Sequence, residues 1–270
     1  MRIDQSLISV IAASVLSCFL WTDAAAQDKP TIGIIIDDLG GVYASGLRTI
    51  SLPGPIACAF LPDTRYATVL AQQAHGVHKE VMLHLPMQPI SANQPIDSGA
   101  LTIDMPEQEF IRTVQEDLAK VPYVSGVNNH MGSLMTQYPS QMTWLMRELH
   151  QYGNLFFVDS RTDKNTIAYA SAQAVGLPSL NRDVFLDDNP SREAVLFQFN
   201  RLLDLAKKNG YAIAIGHPSE TTLSILEEQL LHLDERGVQL APISIILEQA
   251  KGRNKIWQAS LSHSPKVVKN

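Results

Sequence analysis

Short apolar runs alternate with longer amphipathic runs along most of the chain. Apolar runs typical of buried strands lie near residues 31–36, 55–60, 80–84, 123–127, 154–158, 179–181, 211–215 and 237–240. Helical spacing of apolar residues predicts helices near residues 64–75, 106–119, 139–152, 163–175, 191–209, 219–233 and 243–250. Strands that alternate with helices favour a parallel sheet, and seven or eight such units favour closure into a barrel. The pattern therefore predicts an α/β protein built as one irregular, parallel (β/α) barrel domain of seven or eight strands.

Residues 1–26 have the pattern of a secretory signal peptide. A basic start precedes an apolar stretch from Leu7 to Trp21, and Ala24-Ala25-Ala26 offers a small-residue cleavage site before Gln27. An uncleaved membrane anchor is the alternative, which the short apolar run and its alanine-rich end disfavour. We therefore expect an exported, periplasmic protein with no stable membrane insertion after signal cleavage.

The remaining chain is predicted to hold one barrel domain over residues 27–255, followed by a disordered polar tail over residues 256–270. The net charge is −6 with scattered Lys and Arg, which argues against a nucleic-acid partner. Cys58 is the only cysteine after the signal, so the mature chain forms no internal disulfide. Its apolar neighbours predict a core position for this thiol.

Polar side chains follow the apolar runs at five points. Because the carboxyl ends of parallel strands share one edge of a sheet, we expect these groups to lie together. One Asp with two His is a donor set that suits zinc or another divalent transition metal. A further carboxylate and a further histidine would then be available as general base and general acid. Residues 85–105, rich in Pro, Gly, Ser and Asn, predict a long loop beside this edge. The polar residues are Asp37, Asp38, His84, His130, Asp159, Arg161 and His217.

Each of these residues also has a structural interpretation. Asp38 is placed to cap a helix that starts near Tyr43, and Asp159 is placed to cap a helix near Asp163 or to pair with Arg161. A single histidine after an apolar run is more often a core or loop residue than a ligand. Successive strand residues also face opposite sides, so the first two aspartates share a site only if the strand ends between them.

The five motifs at these strand ends make the chain similar to a known family. Over residues 31–250 it resembles the divergent polysaccharide deacetylases, remote relatives of metal-dependent carbohydrate esterases that remove acetyl groups from chitin and peptidoglycan sugars. The motifs are Ile-Ile-Ile-Asp37-Asp38-Leu-Gly, His84-Leu-Pro-Met, Gly-Val-Asn-Asn129-His130-Met-Gly-Ser133, Phe-Phe-Val-Asp159-Ser-Arg161-Thr and Ile-Gly-His217-Pro.

The resemblance implies a role for each motif. It makes Asp37 the general base, Asp38 a metal ligand and His217 the general acid. Typical carbohydrate deacetylases take both metal histidines from one His-Ser/Thr-x-x-His turn, whereas here the candidates His84 and His130 come from separate strands. The usual Arg-x-Pro-Tyr motif is absent, which leaves Asn129 or Arg161 as the candidate to stabilise an oxyanion. The remaining candidates are Asp159 beside Arg161 for catalysis, and Asn129 and Ser133 for substrate binding.

These observations predict an exported, metal-dependent hydrolase, most consistent with removal of N- or O-acetyl groups from a carbohydrate, with zinc as the expected ion. Hydrolysis of a different amide or ester uses the same chemistry and stays open. A second hypothesis is a catalytically inactive carbohydrate-binding or cell-envelope scaffold protein with the same fold. The altered histidine motif and the missing Arg-x-Pro-Tyr motif favour that alternative.

Overall fold

The elements of the fold follow the predicted alternation of strands and helices. The computed structural model describes residues 29–262. The strands are β1 (Thr31–Leu39), β2 (Ala57–Phe60), β3 (Glu80–Met87), β4 (Val124–Met131), β5 (Phe156–Asp159), β6 (Ser179–Asn181), β7 (Val184–Phe185), β8 (Tyr211–Gly216) and β9 (Gln239–Leu240). The helices are α1 (Tyr43–Ile50), α2 (Ala67–Gly76), α3 (Glu107–Lys120), α4 (Pro139–Tyr152), α5 (Ala168–Ala174), α6 (Arg192–Asn209), α7 (Glu220–Gln229) and α8 (Ile243–Ser262).

All strands join one parallel sheet. Its order is β6-β5-β4-β3-β2-β1-β8-β7, and β9 pairs with the first residues of β1. The two end strands, β6 and β7, are joined by only Arg182 and Asp183. Three Cα steps span at most about 11 Å, so the sheet must curl until its edges approach. The predicted single-domain, parallel, barrel-like α/β fold is confirmed. It is a curled half-barrel, and the short connection between β6 and β7 spans the opening between the two edges of the sheet.

The two faces of the sheet pack against different layers. In β1, Ile32, Ile34 and Ile36 pack in the outer layer beneath the helices, whereas Ile35 packs in the inner layer. The inner layer also holds the apolar side of α8, including Ile243. Since β9 and the start of α8 lie beside the first residues of β1 and β3, this helix closes the amino end of the barrel. The carboxyl end, where the polar motifs lie, stays open.

The structure differs from the sequence predictions at two places. The two-residue strand β7 was not predicted, because its two residues are too few to show a pattern. Helix α8 continues to Ser262 and so includes residues 256–262, which the sequence placed in a disordered tail. The predicted signal peptide, residues 1–26, lies outside the described residues. Within residues 29–262, no helix is both long and apolar enough to cross a bilayer.

Candidate metal centre

An irregularity in β1 brings Asp37 and Asp38 to the same side. Ile36 pairs with Cys58 and Leu39 pairs with Phe60, so β1 carries one residue more than β2 across this interval. Asp38 has a φ of 56°, a left-handed conformation that Asp tolerates better than most residues. The bulge therefore removes the alternation that would have separated the two carboxylates. Asp38 does not cap α1, whose first turn receives no side-chain hydrogen bond.

Three ligand-type atoms meet above this bulge. Oδ1 of Asp38 lies 3.2 Å from Nε2 of His84 and 3.0 Å from Nδ1 of His130. The two imidazole nitrogens are themselves 3.0 Å apart. His84 lies in the inward row of β3 opposite Asn128, and His130 lies two residues further along the neighbouring strand β4. The structure thus brings together the three residues that the sequence predicted as metal ligands.

Hydrogen bonds behind His84 decide which of its nitrogens carries a proton. The amide nitrogen of Asn128 donates to Oδ1 of Asp37 at 2.8 Å, so the amide oxygen is left to accept from Nδ1 of His84 at 2.9 Å. In its neutral form, His84 therefore turns an unprotonated Nε2 toward Asp38. On the far side of His130, Nε2 lies 2.9 Å from Oδ2 of Asp97.

These three atoms fit a divalent cation. Oδ1 of Asp38 is buried and receives no hydrogen bond, although two imidazole nitrogens lie beside it. Oxygen and nitrogen lone pairs that converge on one spot favour a positive charge there. Tetrahedral ligands at zinc distances are separated by about 3.3 Å, close to the observed spacing. Asp38, His84 and His130 would hold the ion and leave a fourth position open.

Asp37 lies next to this cluster in a buried position. Its side chain is 2% exposed, and its Oδ2 is 3.5 Å from Nε2 of His84. Burial raises the pKa of Asp37, although His84 and the Asn128 hydrogen bond act in the opposite direction. Burial would also raise the pKa of Asp38, but His130 and His84 hold that pKa well below its usual range. The pKa is therefore raised for Asp37 and lowered for Asp38. A difference of this kind suits a general base beside a metal ligand, because the base must take up a proton and the ligand must stay ionised.

His217 faces the cluster from β8 and is held by a residue that the sequence analysis missed. Its Nδ1 lies 3.0 Å from Oδ1 of Asp187, and its backbone nitrogen donates to Oδ2 of that carboxylate at 2.7 Å. The Thr222 hydroxyl donates to the same Oδ2. Nε2 of His217 lies 3.6 Å from Oδ2 of Asp38. The run Val-Phe-Leu-Asp187-Asp188 repeats the pattern of β1, an apolar run followed by two aspartates. This pattern is the sequence signal that could have identified Asp187 as a site residue.

The environment of His217 favours its protonated form. Burial by itself would lower the pKa of His217, but the hydrogen bond and charge of Asp187 and the charges of Asp38 and Asp37 raise it to about 9. The same contact lowers the pKa of Asp187 despite its burial. At neutral pH this pair carries a proton that Nε2 can give up toward the cluster.

Two of the predicted site residues serve mainly to fix the backbone. Asp159 lies on the outer face, where it accepts hydrogen bonds from the backbone nitrogens of Arg161 and Tyr169 and from the Thr166 hydroxyl. It does not line the cavity, and these contacts match the capping alternative. Asn129 accepts from the backbone nitrogen of Ser160 and donates to the Met131 carbonyl, so both of its polar groups are occupied.

The cluster lies at the floor of a cavity of about 780 Å³ at the carboxyl end of the sheet. Ser133 lines its wall and accepts a hydrogen bond from the backbone nitrogen of Ile90, which ties the loop after β3 to the end of β4. Arg161 lines the cavity with its exposed side chain. The cavity-lining residues among the predicted site are Asp37, His84, Asn129, His130, Ser133, Arg161 and His217.

The fold and the site together define a deacetylase-like (β/α) protein whose Asp, His and His side chains converge at the carboxyl edge of a curled parallel sheet. The family model of the divergent polysaccharide deacetylases matches residues 34–247. The chain belongs to this family, as its motifs predicted. In Escherichia coli K12, the uncharacterized protein YibQ is 40% identical over 202 residues, which are 75% of this chain and 63% of that protein. The matched region thus spans less than two thirds of the E. coli protein.

Solved structures share the fold at low sequence identity. The uncharacterized protein ATU2773 from Agrobacterium tumefaciens superposes with a TM-score of 0.78 at 21% identity, over 82% of this chain and 90% of that one. The D285S mutant of the peptidoglycan deacetylase PdaC from Bacillus subtilis gives a TM-score of 0.51 at 13% identity, over 88% and 99% of the two chains. At these identities the likeness concerns the fold alone.

Proposed function

We propose that the protein is a metal-dependent hydrolase that removes acetyl groups from a glycan. The observation that carries this proposal is the convergence of ligand atoms of Asp38, His84 and His130, within 4.8 Å of one another, at a buried oxygen without a hydrogen bond. Membership of the deacetylase family supports the acetylated carbohydrate as substrate. The signal-peptide pattern of residues 1–26 supports action in the periplasm.

Three residues hold the ion and two others move protons. A divalent ion, for which zinc suits the donor set, supplies a Lewis acid that polarises the acyl carbonyl and acidifies water. Asp37, whose pKa is raised by burial, accepts the proton of the attacking water. Asn128 positions both groups: its amide nitrogen donates to the carboxylate of Asp37, and its amide oxygen accepts from the His84 ring.

His217 completes the reaction as the proton donor. Its imidazolium, stabilised by Asp187, delivers a proton from Nε2 to the nitrogen or oxygen of the leaving sugar. The carbon–nitrogen or carbon–oxygen bond of the acetyl group breaks as that proton arrives, and acetate leaves. The base and the acid thus lie on neighbouring parts of the sheet, Asp37 in β1 and His217 directly after β8.

Metal content and acetate release test this function together. The purified parent protein is expected to contain one equivalent of a divalent transition ion and to release acetate from an acetylated glycan. Asp38→Ala, His84→Ala and His130→Ala should lose both the ion and the turnover. Asp37→Ala should keep the ion and lose turnover, because the base does not hold the ion. His150→Ala, on the exposed side of α4, is the matched control and should behave as the parent.

Two outcomes contradict the proposal. Acetate release that survives in both Asp37→Ala and Asp38→Ala would exclude this site as the catalytic centre. A parent protein that binds no metal, even after incubation with excess zinc, would favour the inactive glycan-binding protein instead.

A further inference from the structure

The wall of the cavity carries cations that have no anionic partner. Arg161, Lys164, Arg182 and Arg201 all line the cavity that holds the metal cluster. Across the side chains described for residues 29–252, none of the four makes an ion pair within 4.0 Å. Arginine and lysine side chains on other parts of the molecule, such as Arg48 and Lys120, do make such pairs. Four cations without an ion pair therefore line the cavity in which a substrate would bind.

Arg182 is fixed in this wall by neutral groups. Its Nε donates to the Ser160 carbonyl at 2.6 Å, and a terminal nitrogen donates to the Arg161 carbonyl at 2.9 Å. The guanidinium carbon lies 4.8 Å from the centroid of the Phe185 ring. These contacts orient the guanidinium without a direct ion pair, which is costly for a partly buried cation. The remaining N–H groups are available to a ligand in the cavity.

Arg161 stands beside it and adds a second charge. Its backbone is held in the left-handed region with φ 50° by the hydrogen bond from its nitrogen to Asp159. Its exposed side chain has no hydrogen bond or ion pair, so it is free to reach a bound molecule. Burial and the charge of Arg161 both lower the pKa of Arg182, which indicates that the two guanidinium groups repel one another. An anion between them would relieve that repulsion.

The acidic residues of the same wall, which include Asp163, act on the two arginines only at longer range and form no ion pair with them within 4.0 Å. Asp183 directs one oxygen to the backbone nitrogen of Ile213 and makes no ion pair with either arginine within 4.0 Å. Asp188 is exposed at the rim and likewise lies outside ion-pair distance. Asp37 lies beside the cluster of Asp38, His84 and His130, and its Oδ1 accepts a hydrogen bond from Asn128. The two guanidinium groups thus retain capacity for one external anion.

We propose that Arg161 and Arg182 form a subsite for an anionic group of the substrate, a carboxylate or a phosphate, so that the protein selects an acidic glycan over a neutral one. This assignment rests on the proposed function for the identity of the substrate as a glycan. Guanidinium groups bind both anions through paired N–H donors, which gives orientation as well as affinity. Lys164 and Arg201 extend the positive wall and would draw the same anion toward the cavity.

Binding measured without turnover tests the subsite separately from catalysis. Isothermal titration calorimetry would compare three probes on the purified protein: trigalacturonate, a neutral galactose trimer and inorganic phosphate. We expect trigalacturonate or phosphate to bind, and the neutral trimer to bind at least about tenfold more weakly than the acidic trimer. Tight binding of the acidic trimer alone identifies the anion as a carboxylate, whereas tight binding of phosphate identifies it as a phosphate.

Variants assign the binding to the two arginines. Arg161→Gln removes a charge whose side chain supports no other contact, and it should weaken anion binding by about tenfold or more. Arg182→Lys keeps the positive charge but loses the paired N–H donors of the guanidinium, and it should weaken anion binding as well. Arg147→Gln, an exposed change on α4, is the matched control and should bind as the parent does.

Equal binding of the acidic and neutral trimers, or unchanged anion binding in Arg161→Gln, would overturn the subsite. Those results leave the hydrolase proposal intact, because metal content and acetate release do not depend on them. Conversely, anion binding that needs Arg161 in a protein without turnover would retain the subsite and reject the hydrolase. If acetate release is found, Arg161→Gln should raise KM for the acidic glycan far more than it lowers kcat.

Discussion

At the scale of single residues, the surroundings of each aspartate decide its chemistry. Asp37, Asp38 and Asp159 all follow apolar strands, and nothing in their local sequence separates them. Burial beside an amide raises the pKa of Asp37, whereas two histidines keep Asp38 ionised. The carboxylate oxygens of Asp159 instead accept hydrogen bonds from two backbone nitrogens and a hydroxyl. One residue type thus occupies three different environments at these strand ends.

Asp97 provides a first test at this scale, because its carboxylate is the charged group next to the outer nitrogen of His130. Its Oδ2 lies 2.9 Å from Nε2 of that histidine, on the opposite side of the ring from the cluster. Asp97→Asn should weaken zinc affinity by about 10- to 100-fold, as is usual when the partner of a metal-binding histidine is lost. Competition with a chromogenic chelator measures this affinity. Asp104→Asn, an exposed change on the same loop, should leave it unchanged. Equal zinc affinity in the two variants would show that Asp97 does not support the metal site.

Asp187 provides a second test, because it stabilises the imidazolium of His217. Removal of a negative partner disfavours the charged form of a histidine, so Asp187→Asn should lower the pKa of His217 from about 9 toward its ordinary value of 6.5. Imidazole NMR signals followed against pH report this pKa without any turnover. The loss of acetate release at high pH should begin at a lower pH in this variant.

The neighbouring change Asp188→Asn serves as the control for this titration. That carboxylate is exposed and makes no hydrogen bond to His217, so the pKa should move much less. A His217 pKa that is the same in the parent and in Asp187→Asn would show that Asp187 does not hold the proton there.

At the scale of elements, the contact between β1 and α8 closes the amino end of the barrel. A Cβ atom on Gly33 would lie 2.6 Å from Cδ1 of Ile243 and 2.7 Å from Cδ1 of Ile246. The helix therefore lies against the bare backbone of the strand, and the small residues Ala57 and Ala59 share the same layer. The site on the opposite end of β1 depends on a strand that this helix holds in place.

Gly33→Val tests that contact, because the new side chain must displace two buried isoleucines. Overpacking of this kind should lower the free energy of unfolding by about 1–3 kcal/mol. Urea denaturation measures the difference. Gly41→Val is the matched control, since a Cβ atom there meets nothing within 4 Å, and it should change stability by less than about 0.5 kcal/mol. Equal midpoints for both variants would mean that α8 does not pack tightly on β1.

At the scale of the whole molecule, one buried acid makes folding stability depend on pH. Asp117 on α3 is fully buried, and its Oδ2 has no hydrogen-bond partner. Burial raises the pKa of Asp117 to about 6 from its ordinary value of 3.8, although Lys120 opposes the shift. The folded protein therefore binds this proton more tightly than the unfolded chain does. The contribution of Asp117 to stability is greatest below about pH 4 and is lost as the pH rises through 6.

Asp117→Asn should therefore stabilise the protein above pH 6, because the amide carries no charge to bury. A shift of about two pKa units sets an upper limit of roughly 3 kcal/mol for this gain. Unfolding by urea at pH 4.5 and at pH 7.5 measures it, and the gain should shrink at the lower pH. Asp204→Asn, an exposed change on α6, should show no such difference between the two pH values. A variant less stable than the parent at pH 7.5 would contradict this account.

The sequence by itself determined the alternation of strands and helices, the parallel sheet and the strand ends at which His84, His130 and His217 lie. Apolar periodicity and the shared edge of parallel strands are local or general rules, so they can be applied without coordinates. Only the tertiary structure decided the bulge that turns Asp38 beside Asp37, and the packing of α8 in the barrel. The tertiary structure also placed Asn128, Asp97 and Asp187 beside the three histidines. These contacts join residues that are 30 or more positions apart in the sequence. Such contacts depend on how the sheet curls, and no short stretch of sequence contains that information.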